Sequence, residues 1–428
     1  MCSFIFTNKK LRSDKLNLLS AKRGPDHTNI CTVNAFNIIH NLLDVSGTKT
    51  IQPINEDDIT ILFNGEIYDQ RLECDTLSII PLYKEYGKNF VEHINGEYAI
   101  VILDNSKNVI YMYSDIFATK PLFYSIQNNH IGIATYASEL NLLGFDKPIR
   151  VNASSYIQLN LNDYSIKEYS HNQFNLDEYK TSYDDCIDAL ENAIALRCNK
   201  KCAVGLSSGH DSGAILQWSL LNNRKQNNFY YITNNRENQI IMNDRLQKCK
   251  DHDFKYSVID YYKNKSVNDL IEFKFVSRYM EDFKNHKQHN SVFMLSKLMS
   301  TVKRGGHNVF ISGQGGDEIT SNYVKDTSFF YNLKQQFPWN NFYGGKNRYF
   351  IDELEYVGGC HGIEVRYPYL DKFFVQEFLN LSHKLKTAKY KSVISEYLHI
   401  NKLNTNDVKT GMSCSSDIHP LIKTNFIL

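Results

Sequence analysis

The chain has 428 residues, more than one ordinary domain holds, so two domains with separate cores are the natural division. Acids and bases nearly cancel, leaving a net charge of +1, and no broad basic field argues for binding to nucleic acid or a membrane surface. The nine cysteines are scattered, with no CxxC pair to hold zinc or a redox centre, and they fit a reducing compartment.

The opening MCSFIFTNKK turns charged too early for a signal peptide, and no run approaches the ~18 apolar residues of a membrane helix. A cytoplasmic protein is therefore expected. CSFIFT, TVNAFNII, ITILFNGEIY, YAIVILD, VIYMYSD, LFYSI, HIGIAT and YIQLNL are apolar or alternating runs of strand length, separated by turns rich in Asn and Asp. DTLSIIPLYKEYG carries apolar residues at helical spacing and ends on Gly, a helix stop. Strands with a few helices predict an α+β domain ending near residue 170. The polar stretch 171–180 reads as a linker. From residue 181 the period changes. YDDCIDALENAIALRC and SVFMLSKLMSTVKRG have helical spacing, while CAVGL, FYYIT and NVFISG read as buried strands. Strands alternating with helices predict a parallel α/β sheet, and the chain beyond about residue 340 reads as mainly helical.

Two strand ends carry small residues and acids. CAVGL runs into SSGHDSG and then a helix, an arrangement that aims backbone N–H groups and a helix N-terminus at a phosphate. Asp211 is placed to hold Mg²⁺ beside that phosphate. No GK[ST] follows, so this is not the P-loop of kinases and GTPases. Alone, a plain Gly/Ser turn explains the stretch equally well. The second stretch, NVFISGQGGDE at 308–318, repeats the pattern. Ligands of parallel α/β sheets sit at the carboxyl ends of strands, so Asp211 and Asp317 are expected to meet around one magnesium nucleotide. At the other end of the chain, removal of Met1 would expose Cys2. Its thiolate is a nucleophile and its free amine can serve as its own base. Taken singly, Cys2 also reads as a small buried residue opening a strand.

Ser207-Ser208-Gly209-His210-Asp211-Ser212 resembles the S-G-G-x-D-S signature of ATP-pyrophosphatases. The strand followed by G-x-G-x-D-E resembles the synthetase domain of glutamine-hydrolysing asparagine synthetases. RGPDHT at 23–28, FNGEIYD at 63–69 and SDIFATKPLFYS at 114–125 look like the RGPD, NGEIYN and RDxxGxKPLYY signatures of class II glutamine amidotransferases, in family order. The resemblance covers nearly the whole chain. It implies an Ntn-type αββα glutaminase sandwich at 2–170 and, after the linker, an α/β ATP-pyrophosphatase domain at 181–428 with a helical C-terminal part.

By this resemblance Cys2 attacks the amide of glutamine, and Asn64 with the Gly65 N–H forms the oxyanion hole. Glu66 and Asp75 hold the glutamine amino group. Ser207, Ser208, Gly209, Asp211 and Ser212, with Gly313 and Gly315 of the second loop, bind ATP and pyrophosphate, and Asp211 and Asp317 hold Mg²⁺. VRYPYLDK at 365–372 looks like the family's ARVPFLDK, with Glu364 preceding it, and Lys409 in KTGMSCSS stands where relatives place a catalytic lysine. The implied reaction adenylates a carboxylate, aspartate or another acceptor, and amidates it with ammonia from glutamine. No nucleic acid or membrane enters, and the resemblance leaves a homodimer possible.

Three departures stand out. Ser208 replaces a glycine, and its hydroxyl is expected to donate to phosphate. Gln314 replaces the glutamate of S-G-E-G-S-D-E and cannot accept a proton at neutral pH, which leaves Glu364 as the expected base. Leu42 stands where relatives carry the arginine that binds the glutamine α-carboxylate, so either another base, Arg23, substitutes or glutamine binds weakly. The alternative is a ligase resembling β-lactam synthetase, joining an adenylated carboxylate to an amine beside a vestigial glutaminase site.

Overall fold

The structure, a computed structural model, describes residues 2–11, 16–45, 47–69, 74–233, 237–260, 289–321 and 327–405. Its N-terminal part consists of two six-stranded antiparallel sheets. The first runs, edge to edge, Ile149–Arg150, Phe123–Gln127, His130–Ala134, Ser3–Thr7, Phe36–Leu42, His27–Val33. The second runs Ile166–Ser170, Ser155–Asn160, Val109–Ser114, Gly96–Asp104, Ile59–Ile67, Ile54–Glu56. Phe4, Phe6 and Ile38 of the first meet Leu62, Val101 and Met112 of the second in one buried cluster between the sheets. Helix Ala137–Leu142 covers the outer face of the first through Leu140, and helix Ile79–Tyr86 covers the second through Ile79, Ile80 and Tyr83. The order of layers is therefore helix, sheet, sheet, helix. YAIVILD is apolar without alternation because its strand is central and covered on both faces.

The sequence reads TVNAFNII as one strand. The chain instead turns there, with Asn34 in the left-handed region at φ 52°, and pairs Val33 with Phe36. Asn tolerates this conformation better than most residues.

The C-terminal part is built on a five-stranded parallel sheet, ordered Tyr256–Asp260, Asn228–Thr233, Ala203–Gly205, Val309–Ile311, Glu364–Arg366. Helices include Asp184–Arg197, His210–Leu221, Gln239–Asp251 and Gly345–Cys360, and helices dominate the described residues after the last strand. Asn238 and Asp371 start two of them by accepting backbone N–H groups on their side chains. Among the described residues no helix is long and apolar enough to cross a membrane.

The two parts share one apolar cluster. Leu19, Phe117 and Tyr136 join the core of the parallel sheet, beside Tyr356, Ile363 and Tyr367.

Candidate active site

Two sites emerge, one in each part. Cys2 directly precedes the strand Ser3–Thr7, and Asn64 and Gly65 lie on Ile59–Ile67 of the facing sheet. The two sheets bring them together: Cys2 N donates to Asn64 Oδ1 at 2.9 Å. Asn64 is fully buried, and its Nδ2 has no hydrogen-bond partner among the described residues. That nitrogen is a donor left over for a ligand. Gly65 has φ +153°, and a Cβ there would sit 2.1 Å from the Glu97 carbonyl oxygen, so the strand can hold this course only with glycine. Burial pushes the Cys2 thiol up, so it rests protonated at neutral pH and needs a base to become a nucleophile.

Cys2, Gly65, Glu66 and Asp75 line one open cleft. Asp75 opens a short 3₁₀ turn and is held by the N–H groups of Ile67 and Thr76, at 2.9 and 2.8 Å. Burial raises its pKa. Leu42 lines the same cleft and brings no charge. The described lining residues include four carboxylates, Asp44, Glu66, Asp75 and Glu364, and no Lys or Arg.

Two sequence expectations change here. Arg23 does not line the cleft. It is fully buried and spends its guanidinium on the Cys2 carbonyl, Tyr136 and Glu355, so it cannot reach a glutamine carboxylate. Glu364 lines the Cys2 cleft rather than the nucleotide loops. It sits at the amino end of its strand, whereas those loops leave the carboxyl ends of neighbouring parallel strands. Arg366, two residues on and therefore on the same face, pairs with Glu364 at 2.7 Å and with Glu66 at 3.2 Å. The C-terminal part thus supplies one wall of the cleft.

The second site lies where the strands Ala203–Gly205 and Val309–Ile311 end side by side. Helix His210–Leu221 starts inside the first loop, with Gly209 as its N-cap and Asp211 in its first turn. The loop braces itself: the Ser207 N–H donates to Ser212 Oγ at 3.1 Å, and the Gly209 N–H to Ser207 Oγ at 3.2 Å. Ser208 is not turned to an open anion site. Its N–H and hydroxyl both donate to Glu237 Oε2, at 2.7 and 2.5 Å. Arg245 donates from behind to the carbonyls of Ser207 and Gly209. Burial lowers the Arg245 pKa to about 10, still a full positive charge at neutral pH. A Cβ at Gly213 would sit 2.5 Å from Arg245 Nη2, so a side chain there would require the guanidinium to shift.

In the second loop Gly313 lies against Asp211, and Gly315 caps helix Gly316–Thr320 in the left-handed conformation. Asp317 lies in the first turn of that helix. The two acids meet through a residue absent from the sequence reading: Lys391 Nζ is 2.5 Å from Asp211 Oδ2 and 3.1 Å from Asp317 Oδ1. Tyr390 OH donates to Asp317 at 2.6 Å, and Tyr369 OH donates to the Asp211 carbonyl at 2.7 Å. Lys391 is nearly inaccessible. Burial opposes its charge, but Asp211 and Asp317 outweigh burial and raise its pKa. No sequence motif marks Lys391; only the fold brings it 180 residues back to Asp211. Lys409 lies outside the described residues.

The donor set suits magnesium. Mg²⁺ is commonly held by one or two carboxylates together with substrate phosphates, and Asp211 and Asp317 are two carboxylates already brought to a common cation. Among the described residues there is no group of three or more His, Cys, Asp or Glu that would form an all-protein metal cage.

A family model described as a glutamine amidotransferase domain matches residues 1–203. The chain is 23% identical over 414 residues to glutamine-hydrolysing asparagine synthetase 2 of Arabidopsis thaliana, a match covering 89% of this chain and 70% of that protein. It is 25% identical over 426 residues to the glutamine-hydrolysing asparagine synthetase of Triphysaria versicolor, covering 91% and 70%. Over a shorter span of 138 residues it is 33% identical to glutamine-hydrolysing asparagine synthetase 2 of Bacillus subtilis, covering 28% of this chain and 18% of that one.

Proposed function

We propose that the chain, similar over most of its length to glutamine-hydrolysing asparagine synthetases, is an ATP-dependent, glutamine-using ligase of that family and makes an amide on an adenylated, aspartate-like carboxylate. The observation that carries this reading is the pair of sites in one chain: Cys2 set against Asn64, and Asp211 drawn to Asp317.

At the first site Cys2, freed of Met1, attacks the glutamine amide, with its own amine taking the thiol proton. Asn64 Nδ2 and the Gly65 N–H receive the oxyanion. Asp75 and Glu66 face the substrate ammonium. At the second site the first loop, Ser208 excepted, and the start of its helix take the phosphates with Gly313 and Gly315. Asp211 and Asp317 would hold Mg²⁺, which neutralises phosphate charge when bound. Lys391 supplies a fixed positive charge at the same place, and Lys409 is proposed to add another. Ammonia passes between the sites within the protein, because in water at neutral pH it is mostly non-nucleophilic ammonium.

The test is product analysis with glutamine, Mg-ATP and L-aspartate. Glutamate, AMP, pyrophosphate and asparagine together establish the full reading. Glutamate without aspartate-dependent AMP assigns the acceptor elsewhere, consistent with Gln314 in the second loop. Asp211→Asn is expected to abolish AMP formation while leaving glutamate release intact.

A second reading has one observation in its favour. The Cys2 cleft presents Leu42 and four carboxylates to a substrate that carries its own carboxylate. If the wild type releases no glutamate, the enzyme instead joins the adenylated carboxylate to an amine, and the first site is vestigial.

A further inference from the structure

Cys2 does not hold its own place. Its carbonyl oxygen accepts from Arg23 Nε at 2.9 Å, and Arg23 is wholly buried. The rest of that guanidinium belongs largely to the other part of the molecule. Arg23 Nη2 donates to Glu355 Oε2 at 2.6 Å, and Nη1 donates to the Glu355 carbonyl at 3.0 Å and to Tyr136 OH at 3.2 Å. Glu355 lies on helix Gly345–Cys360, which packs against helix Leu18–Arg23.

Glu355 is itself fixed from several sides. Its Oε1 accepts from Lys120 Nζ at 2.9 Å and from the Tyr367 hydroxyl at 3.0 Å. The Tyr367 N–H donates to Glu97 Oε1 at 2.9 Å, and the same oxygen accepts from Arg197 Nε at 2.7 Å. Arg197 goes on to Asp371 at 2.9 Å. Arg23, Lys120 and Arg197 thus face Glu97, Glu355 and Asp371, all of them buried. Buried charges are costly in any geometry but a fully paired one, so this set favours a single arrangement of the two parts. At one end the array meets the first site through Cys2 and through Glu97, the cross-strand partner of Glu66. Tyr369, in the same segment as Tyr367 and Asp371, holds the Asp211 carbonyl at the other.

We propose that Glu355 is a positioning residue for Cys2: acting through Arg23, it lets the nucleotide-binding part fix the nucleophile of the glutaminase part against Asn64. The role assigned to Cys2 rests on the function proposed above. The distances do not. A shift of about 1 Å in a reacting group can cost roughly 100-fold in rate, and Arg23 is the side chain that grips the Cys2 carbonyl.

The test uses the full chain with Glu355→Gln, which keeps the shape and removes the charge. Arg23→Lys is the second variant, keeping the charge but losing the Nε donor. For both, kcat for glutamate release is expected to fall by about 10- to 100-fold. KM is expected to stay within about threefold, and Mg-ATP affinity by calorimetry should be unchanged. A purely structural role would instead lower kcat and the number of Mg-ATP sites together, and that result overturns the proposal, as does an unchanged kcat. Alkylation of Cys2 by iodoacetamide, followed by mass spectrometry, needs no glutamine chemistry. It is expected to be faster by at least about fivefold in both variants, because a loosened Cys2 is more often exposed. If the wild type releases no glutamate, the amidotransferase reading fails, and alkylation alone decides: equal rates in wild type and variants overturn the latch.

Discussion

Asn64 offers an amide nitrogen with no partner among the described residues beside Cys2, where an oxyanion would form, while its oxygen is already engaged by the Cys2 nitrogen. Asn64→Ala removes both. Losing one oxyanion donor costs about 100- to 1,000-fold in kcat, and a drop of that order in glutamate release, with Mg-ATP binding preserved, is the expected outcome. A residual rate near wild type would assign the oxyanion to other donors. Lys391 poses a different problem. It stands between Asp211 and Asp317, and removing one partner of a buried pair typically costs about 3–5 kcal/mol because the remaining charge is stranded. Lys391→Met is expected to lower thermal stability without metal and to regain much of it in millimolar Mg²⁺, which can replace the missing cation. Wild type, in which lysine already fills that role, should respond less. Pyrophosphate formation should fall in the variant even with metal present. Equal magnesium effects on both proteins would contradict the assignment of this site to the metal.

At the scale of elements, the sequence was most legible where a strand ends in small residues and an acid. The run CAVGL into SSGHDSG and the run NVFISG into QGGDE both became strand, loop and helix, and adjacent parallel strands placed the two acids together. Local pattern could not reveal partners that arrive from elsewhere. Lys391, Glu237 and Arg245 reach the first loop from their own helices or loops. Glu364 was misplaced for a topological reason: motif order does not say which end of a strand a residue occupies, and this one lies at the amino end. Arg23 was read as a ligand-binding cation because a motif does not disclose that a guanidinium is already spent. Helix Gly345–Cys360 illustrates the cost of such commitments. Glu353 on that helix is buried, with Oε1 unpartnered among the described residues, and burial pushes its pKa up from 4.5 to about 7. A raised pKa means the folded state binds the proton more tightly, so the contribution is fully present below pH 4.5 and is lost as pH rises through 7. Glu353→Gln should therefore flatten the decline in stability between about pH 5 and 8 and be more stable than wild type at about pH 8. The upper bound on that gain is on the order of 3 kcal/mol. Parallel pH profiles for the two proteins would mean that Glu353 ionises freely.

At the scale of the whole molecule, the question is whether the glutaminase part is an independent unit. Three apolar clusters lie wholly within residues 4–169, so most of its core is its own, although Leu19, Phe117 and Tyr136 pack into the core of the other part. A fragment of residues 1–180 is accordingly expected to fold, with a cooperative thermal transition and the circular dichroism of antiparallel sheet. Its active site is another matter. Glu364 lines the Cys2 cleft from the last strand of the parallel sheet, Arg366 pairs with Glu66, and Glu355 secures Arg23. None of these is present in the fragment. In their absence the charges of Arg23, Lys120 and Glu97 would face water, where they lose little energy by solvation but also lose the geometry that the buried array imposed. The fragment should thus separate folding from function: a folded protein whose glutamate release is lower than that of the full chain by about 100-fold or more, the scale set by loss of reactive alignment. A fragment with full activity would show that the sandwich positions Cys2 unaided, and the contacts from the C-terminal part would then serve only to join the two halves.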